Sequence, residues 1–105
     1  MKYSIVRTDT ADMQLRNIVL YVAENFGTEI ALKRLDELED SIMKLQEYQD
    51  LGVSPAYPTL RRQGYKMLIL EKDLVFYKVD EKRKRVIIYA VVDQRQDYLN
   101  IIRGL

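Results

Sequence analysis

The apolar residues of this 105-residue chain change period once, near its middle. In the first half Leu15, Ile18, Val19, Val22 and Phe26 stand at i, i+3, i+4, i+7 and i+11. Ala31, Leu35, Leu38, Ile42 and Leu45 follow at spacings of four, three, four and three. Both series trace one face of a helix, the second with a heptad-like seam. From Tyr65 onward the pattern is that of strands, expected over 65–71, 74–79 and 85–92, with a further short strand at 2–7. A helical stripe and a sheet face must each be buried against another layer. The expected order is therefore β-α-α-β-β-β, in the α+β class. An antiparallel sheet carries an N-terminal helical hairpin on one face, and Asp97 begins a short C-terminal helical turn with Leu99, Ile101 and Ile102.

Local chemistry sets the boundaries. Thr8, Asp9 and Thr10 are three successive N-cap candidates, because their side-chain oxygens can accept orphan amides of a helix start. Gly27 is placed to end the first helix in a conformation that a Cβ disfavours. Thr28 can cap the second, with Glu29 suited to its positive end. Lys72-Asp73 and the charged stretch 80–84 are the expected strand turns. The strand at 85–92 is apolar on both faces, which places it centrally in the sheet. Residues 49–63 have no period and hold Gly52, Pro55 and Pro58, so they form a loop. Such loops are often functional; a flap packed by Leu51, Val53, Tyr57 and Leu60 is the alternative.

Length gives one domain, 1–105. Cysteine and histidine are both absent. That excludes disulfides, thiolate metal sites, a cysteine nucleophile and Ser-His-Asp chemistry, and it removes the usual neutral-pH base. The longest wholly apolar run, Val86 to Val92, is too short to span a bilayer, and no signal-peptide pattern opens the chain. A cytoplasmic protein without a membrane partner is expected. Phosphate-cradling glycine motifs are missing. Asp36, Glu39 and Asp40 fit a solvated helix face better than a metal site, and no cofactor or metal is expected. The net charge of +1 hides a division. Residues 1–50 carry six Lys/Arg against ten Asp/Glu, and residues 51–105 carry eleven against six, which suggests two faces with different partners.

The basic features are Arg61-Arg62 with Lys66 just beyond, the run Lys82-Arg83-Lys84-Arg85, and Arg95. The four-residue run suits a solubilising hairpin tip. Without His or Cys, arginine can stabilise charge building on a phosphate, and lysine can act as a base once burial or a like charge lowers its pKa. Tyrosine can relay a proton or stack on a base. Lys66, Arg95 and Tyr98 form such a set. The plainer readings are an outward strand lysine, a surface pair of Arg95 with Asp97 or Asp93, and packing of Tyr98 on the sheet.

Four stretches give the whole chain a resemblance to the RelE/ParE superfamily, the toxins of type II toxin–antitoxin pairs. They are residues 3–11 with Tyr21-Val22-Ala23-Glu24, residues 60–66, residues 74–81, and residues 86–99. The last, a strand running into Arg95-Gln96-Asp97-Tyr98, is the most specific. In RelE-like members, which are ribosome-dependent mRNA endonucleases needing no metal, the resemblance gives Lys66 the role of base or phosphate clamp. Arg95 would stabilise the transition state and Tyr98 would position the RNA. The chain departs from those members at Leu68 and Leu74, where they carry basic residues, and at Asp93, where relatives place a histidine. ParE-like members inhibit DNA gyrase without that constellation, and the long helical hairpin is similar to theirs. The resemblance thus favours a ParE-like growth-arresting toxin. The alternatives are a RelE-like endonuclease acting on mRNA at the ribosome, and a degenerate toxin that only binds its antitoxin. Arg61, Arg62, Asp93 and Gln94 are the candidate contacts to target or nucleic acid. A cognate antitoxin is the implied partner, bringing an acidic or amphipathic segment to the basic half, and operator DNA is reached only through it.

Overall fold

A computed structural model describes residues 2–94. Strand β1 (Ser4–Arg7) leads into helices α1 (Asp9–Phe26) and α2 (Thr28–Met43), and a single 3-10 turn, Lys44–Gln46, extends α2. The short helix α3 (Pro58–Arg62) precedes strands β2 (Lys66–Ile69), β3 (Asp73–Asp80) and β4 (Arg85–Asp93). The α+β class and the order of the strands and the two long helices match the expectation, to which α3 is an addition. The expected C-terminal turn from Asp97, with Arg95 and Tyr98, lies outside the described residues.

The four strands form one sheet in the order β1-β4-β3-β2. β4 is central, as its two apolar faces require. The β2–β3 and β3–β4 pairs are antiparallel, but β1 runs parallel to β4, so the sheet is mixed rather than antiparallel throughout. The reason is topological. Short turns force their neighbours antiparallel, whereas β1 reaches the sheet through a two-helix crossover and has no turn to fix its direction.

Of the three N-cap candidates Thr8 is the cap: its Oγ1 accepts the Ala11 N–H at 3.1 Å. Gly27 has φ +97° and joins the helices directly. A Cβ there would meet nothing within 4 Å, so conformation rather than space selects glycine. The helical stripes, including Leu15, Val22, Leu38 and Ile42, pack on a sheet face made by Val75, Tyr77, Val86, Ile88 and Val91. The other sheet face carries a second, smaller core of Leu74, Phe76, Ala90 and Val92, covered by Leu60 of α3 and by Tyr65.

The segment 49–63 is a packed flap only in part: Leu60 is buried and Tyr57 half-buried against the second core, whereas Leu51 and Val53 are exposed, and α3 lies within what was expected to be loop. Val53 exchanges two backbone hydrogen bonds with Met67 at the edge of β2, at 2.9 and 2.8 Å. Tyr77, fully buried, sends its hydroxyl into the same segment. The hydroxyl donates to the Gln49 carbonyl at 2.8 Å and accepts the Gly52 N–H at 2.9 Å. A Cβ on Gly52 would lie 2.6 Å from that hydroxyl and 2.9 Å from the Met67 carbonyl oxygen, so only glycine fits.

Candidate functional site

At the far end of the sheet, where β4 finishes, three charged side chains are buried together. Arg34 of α2 is 8% exposed, Asp73 3% and Asp93 7%. The Arg34 guanidinium forks onto Asp73, with Nε donating to Oδ2 at 3.0 Å and Nη2 to Oδ1 at 2.6 Å. Nη2 also donates to Asp93 Oδ2 at 3.1 Å. Planar bidentate geometry of this kind is specific to arginine and is about twice as strong as a neutral hydrogen bond. Asp73 and Asp93 are direct cross-strand partners, so one helical arginine bridges both strands. The Asp73 hydrogen bond raises the Arg34 pKa; burial opposes this and Asp93 adds to it. The guanidinium therefore stays charged.

Gln94 supplies a second clasp at the same place. Its N–H donates to the Lys72 carbonyl at 2.9 Å, and its side-chain amide donates to the Leu70 carbonyl. A cleft of about 600 Å³ opens beside this corner, with Val22, Phe26 and Ile30 of the helices facing Lys72, Asp93 and Gln94.

The opposite sheet face presents different chemistry. A register shift between Phe76 and Tyr77 pairs Phe76 with Ala90 and Tyr77 with Ile88, leaving Tyr89 as the extra residue of a bulge. Tyr89 and Ala90 consequently pack on the same side, with the second core. The Tyr89 ring meets Tyr65 edge-on, 5.3 Å between centroids. The Lys78 ammonium lies over both, 4.4 Å from the Tyr65 centroid and 5.2 Å from that of Tyr89. The Tyr65 hydroxyl is pushed above its ordinary pKa by burial, then by Tyr89. At the hairpin tip Asp80 is held below the usual carboxylate range, first by the Arg83 N–H and further by the Arg83 and Arg85 side chains.

Arg95 and Tyr98 lie outside the described residues; the described candidates are spread over the sheet. Lys66 shares a face with Tyr77 and Leu68 on the helix side, where it pairs with Asp50 at 3.4 Å. Arg61 and Arg62 are exposed at the end of α3, across the sheet from Lys66. Asp93 lies four registers from Lys66, about 13 Å along the strands. Its carboxylate is committed to Arg34, while Gln94 is exposed. Asp36, Glu39 and Asp40 are exposed on α2. Among the described residues, no three His, Cys, Asp or Glu side chains form a metal-holding group. No helix among them is long and apolar enough to cross a membrane. Arg34, Asp73, Lys78 and Tyr89 were not singled out from sequence. Only Arg34 left a signal there, as a charge set inside the apolar stripe between Ala31 and Leu38.

Comparison with known proteins bears on this arrangement. Residues 5–98 match a family described as the ParE toxin of the type II toxin–antitoxin system parDE. No curated protein matches the sequence significantly. Among solved structures, the chain is similar to one from the chromosomal ParDE toxin–antitoxin system of P. aeruginosa, with TM-score 0.73 and 23% identity. That match covers 88% of this chain and 96% of the other. A chain of the RelBE2 toxin–antitoxin complex of Mycobacterium tuberculosis gives 0.68 at 14% identity, covering 90% of this chain and all of the other. A mutant of the E. coli toxin RelE in the free state gives 0.62 at 13% identity, covering both chains fully. At these identities the structural likeness concerns the fold.

Proposed function

The chain belongs to the ParE toxin family of type II toxin–antitoxin systems, and from that premise we propose that it arrests bacterial growth by inhibiting DNA gyrase and is neutralised by a cognate antitoxin. One observation carries the choice of gyrase over mRNA. Three positions at which ribonuclease members of the superfamily hold cationic or histidine side chains are used here for folding. Leu68 and Leu74 are each 5% exposed, in the cores on opposite faces of the sheet. Asp93 is bound to Arg34. A cation at Leu68 or Leu74 would have to be buried, at a penalty of several kcal/mol without a partner. Lys66, two residues before Leu68 on the same face, keeps its cation and pairs with Asp50 at 3.4 Å.

The antitoxin would bring an acidic or amphipathic segment that folds on binding, attracted by the basic second half of the chain. Operator DNA would be bound through the antitoxin, and the site of action is the cytoplasm. Arg61, Arg62 and Gln94 are exposed and available to a target.

The test is biochemical. Purified chain should inhibit supercoiling by gyrase, the antitoxin should relieve that inhibition, and programmed ribosomes should keep their mRNA intact. Cleavage of ribosome-bound mRNA with unimpaired supercoiling would establish the endonuclease instead. Failure in both assays and harmless expression without antitoxin would leave only antitoxin binding.

A further inference from the structure

We propose that the sheet face opposite the long helices is a contact surface for the phosphate backbone of duplex DNA, with Arg61, Arg62 and Lys78 as its cations. The choice of DNA over another polyanion rests on the gyrase reading above, since DNA is what that enzyme acts on. The polyanion-binding character of the face stands on its own charge and geometry. Residues 9–43, which form α1 and α2, carry eight Asp/Glu against three Lys/Arg, one of them the buried Arg34. Residues 51–70 carry Arg61, Arg62 and Lys66 and no carboxylate. Lys66 turns to the helix side and pairs with Asp50. Arg61 and Arg62 are exposed at the end of α3, which covers the opposite face through Leu60.

Lys78 joins them from β3, alternating with Tyr77 and Val79 of the helix-side core. Its ammonium lies over the rings of Tyr65 and Tyr89, at 4.4 and 5.2 Å. The Tyr65 N–H donates to the Leu60 carbonyl at 3.1 Å, which ties the turn carrying the arginines to the start of β2. Among the described residues Arg61, Arg62 and Lys78 make no ion pair. The strand carboxylate on this face, Asp80, is already bound by Arg83 and Arg85. A polyanion is therefore attracted to one layer and repelled by the other, which orients its approach. The exposed apolar anchors that a protein partner would use lie elsewhere, Leu20, Tyr21, Phe26 and Leu32 on the helical hairpin and Leu51 and Ile69 by the edge of β2. Around the three cations Leu60, Tyr65 and Phe76 are buried. Point charges with little apolar area suit a sugar–phosphate backbone. Lys78, backed by two rings, also loses less side-chain freedom when a phosphate engages it.

The experiment follows binding of a labelled duplex of about 20 base pairs by fluorescence anisotropy across a salt series. The logarithm of the binding constant should fall against that of salt concentration with a slope of about −2.7, about 0.9 for each of three phosphates neutralised. Arg61→Gln combined with Arg62→Gln should make the slope shallower by about 1.8, and Lys78→Gln by about 0.9. Arg16→Gln combined with Lys33→Gln, on the exposed helix surface, should leave it unchanged. Both arginines are exposed, so their variant keeps the test open even if Lys78→Gln fails to fold. In a supercoiling assay the double arginine variant should inhibit about tenfold less well, with antitoxin affinity unchanged. A wild-type slope near zero, or one that these variants leave unaltered, would overturn the proposal. Undiminished gyrase inhibition by a variant that no longer binds DNA would do the same. Lost antitoxin affinity with DNA binding intact would give the face to the antitoxin instead, and tighter binding of single-stranded RNA of equal length would give it to RNA. DNA binding with the expected slope but unimpaired supercoiling would overturn the gyrase reading and leave the DNA surface standing.

Discussion

Removal of one oxygen atom tests how the 49–53 segment is held. Tyr77→Phe keeps the buried ring and creates no cavity, since only the hydroxyl is lost. That hydroxyl makes two hydrogen bonds, 2.8 Å to the Gln49 carbonyl and 2.9 Å from the Gly52 N–H. Each contributes about 1 kcal/mol net, and both backbone groups would be left part-buried without that partner. The expected loss is therefore about 2 kcal/mol. For a domain of this size that is about 8 °C in Tm. It also corresponds to a fall of about 1 M in the urea midpoint at an m-value near 2 kcal/mol/M. Urea titration followed by circular dichroism measures both quantities. The m-value should not change, because the surface exposed on unfolding is the same. A loss below about 0.5 kcal/mol would mean that water replaces the hydroxyl and that the segment is held by the Val53–Met67 bridge alone. A changed m-value would show that the segment had detached in the folded state.

Three further outcomes follow from the same geometry. Gly52→Ala should destabilise by about 1–3 kcal/mol, since its Cβ meets a buried ring and a backbone carbonyl oxygen; in the Tyr77→Phe background the cost should shrink, a coupling visible in a double-mutant cycle of urea midpoints. Thr8→Ala should lose about 1 kcal/mol in a thermal melt while Thr10→Ala loses little, because only Thr8 caps α1. Stability should also fall in alkali. The Tyr77 pKa is raised by burial, in opposition to the Gly52 hydrogen bond, and that of Tyr3 by its bond to Glu81. Groups raised in the folded state give their full contribution below about pH 10 and lose it as pH climbs through the folded value. Tyr77→Phe should accordingly flatten the alkaline limb of a pH–stability profile, and an identical limb would refute the assignment.

The sequence shows some of these features and hides others, for physical reasons. The helices and strands of the main core are legible because their burial is periodic, and β4 is legible as central because it is apolar on both sides. The direction of β1 is not, since nothing local records which strand it will meet after two helices. The hold on 49–53 is equally hidden, because Tyr77 reaches Gly52 across 25 residues. The bulge that sets Tyr89 and Ala90 on one face interrupts the alternation of β4, and no local pattern records it. Arg34 is the instructive case. A charge within an apolar stripe signals a buried partner, but only the folded sheet identifies Asp73 and Asp93 as that partner. Lys66, a candidate base or clamp, and Asp93, a candidate target contact, are separated by strand register that no spacing rule supplies.

The most direct test of the gyrase assignment is pulse labelling of bacteria in the first minutes after the chain is induced without antitoxin. Thymidine and amino-acid incorporation are followed side by side. DNA synthesis is predicted to stop first, with protein synthesis following later. Early loss of amino-acid incorporation while thymidine incorporation continues would contradict the account and return Lys66 and the ribosome to its centre.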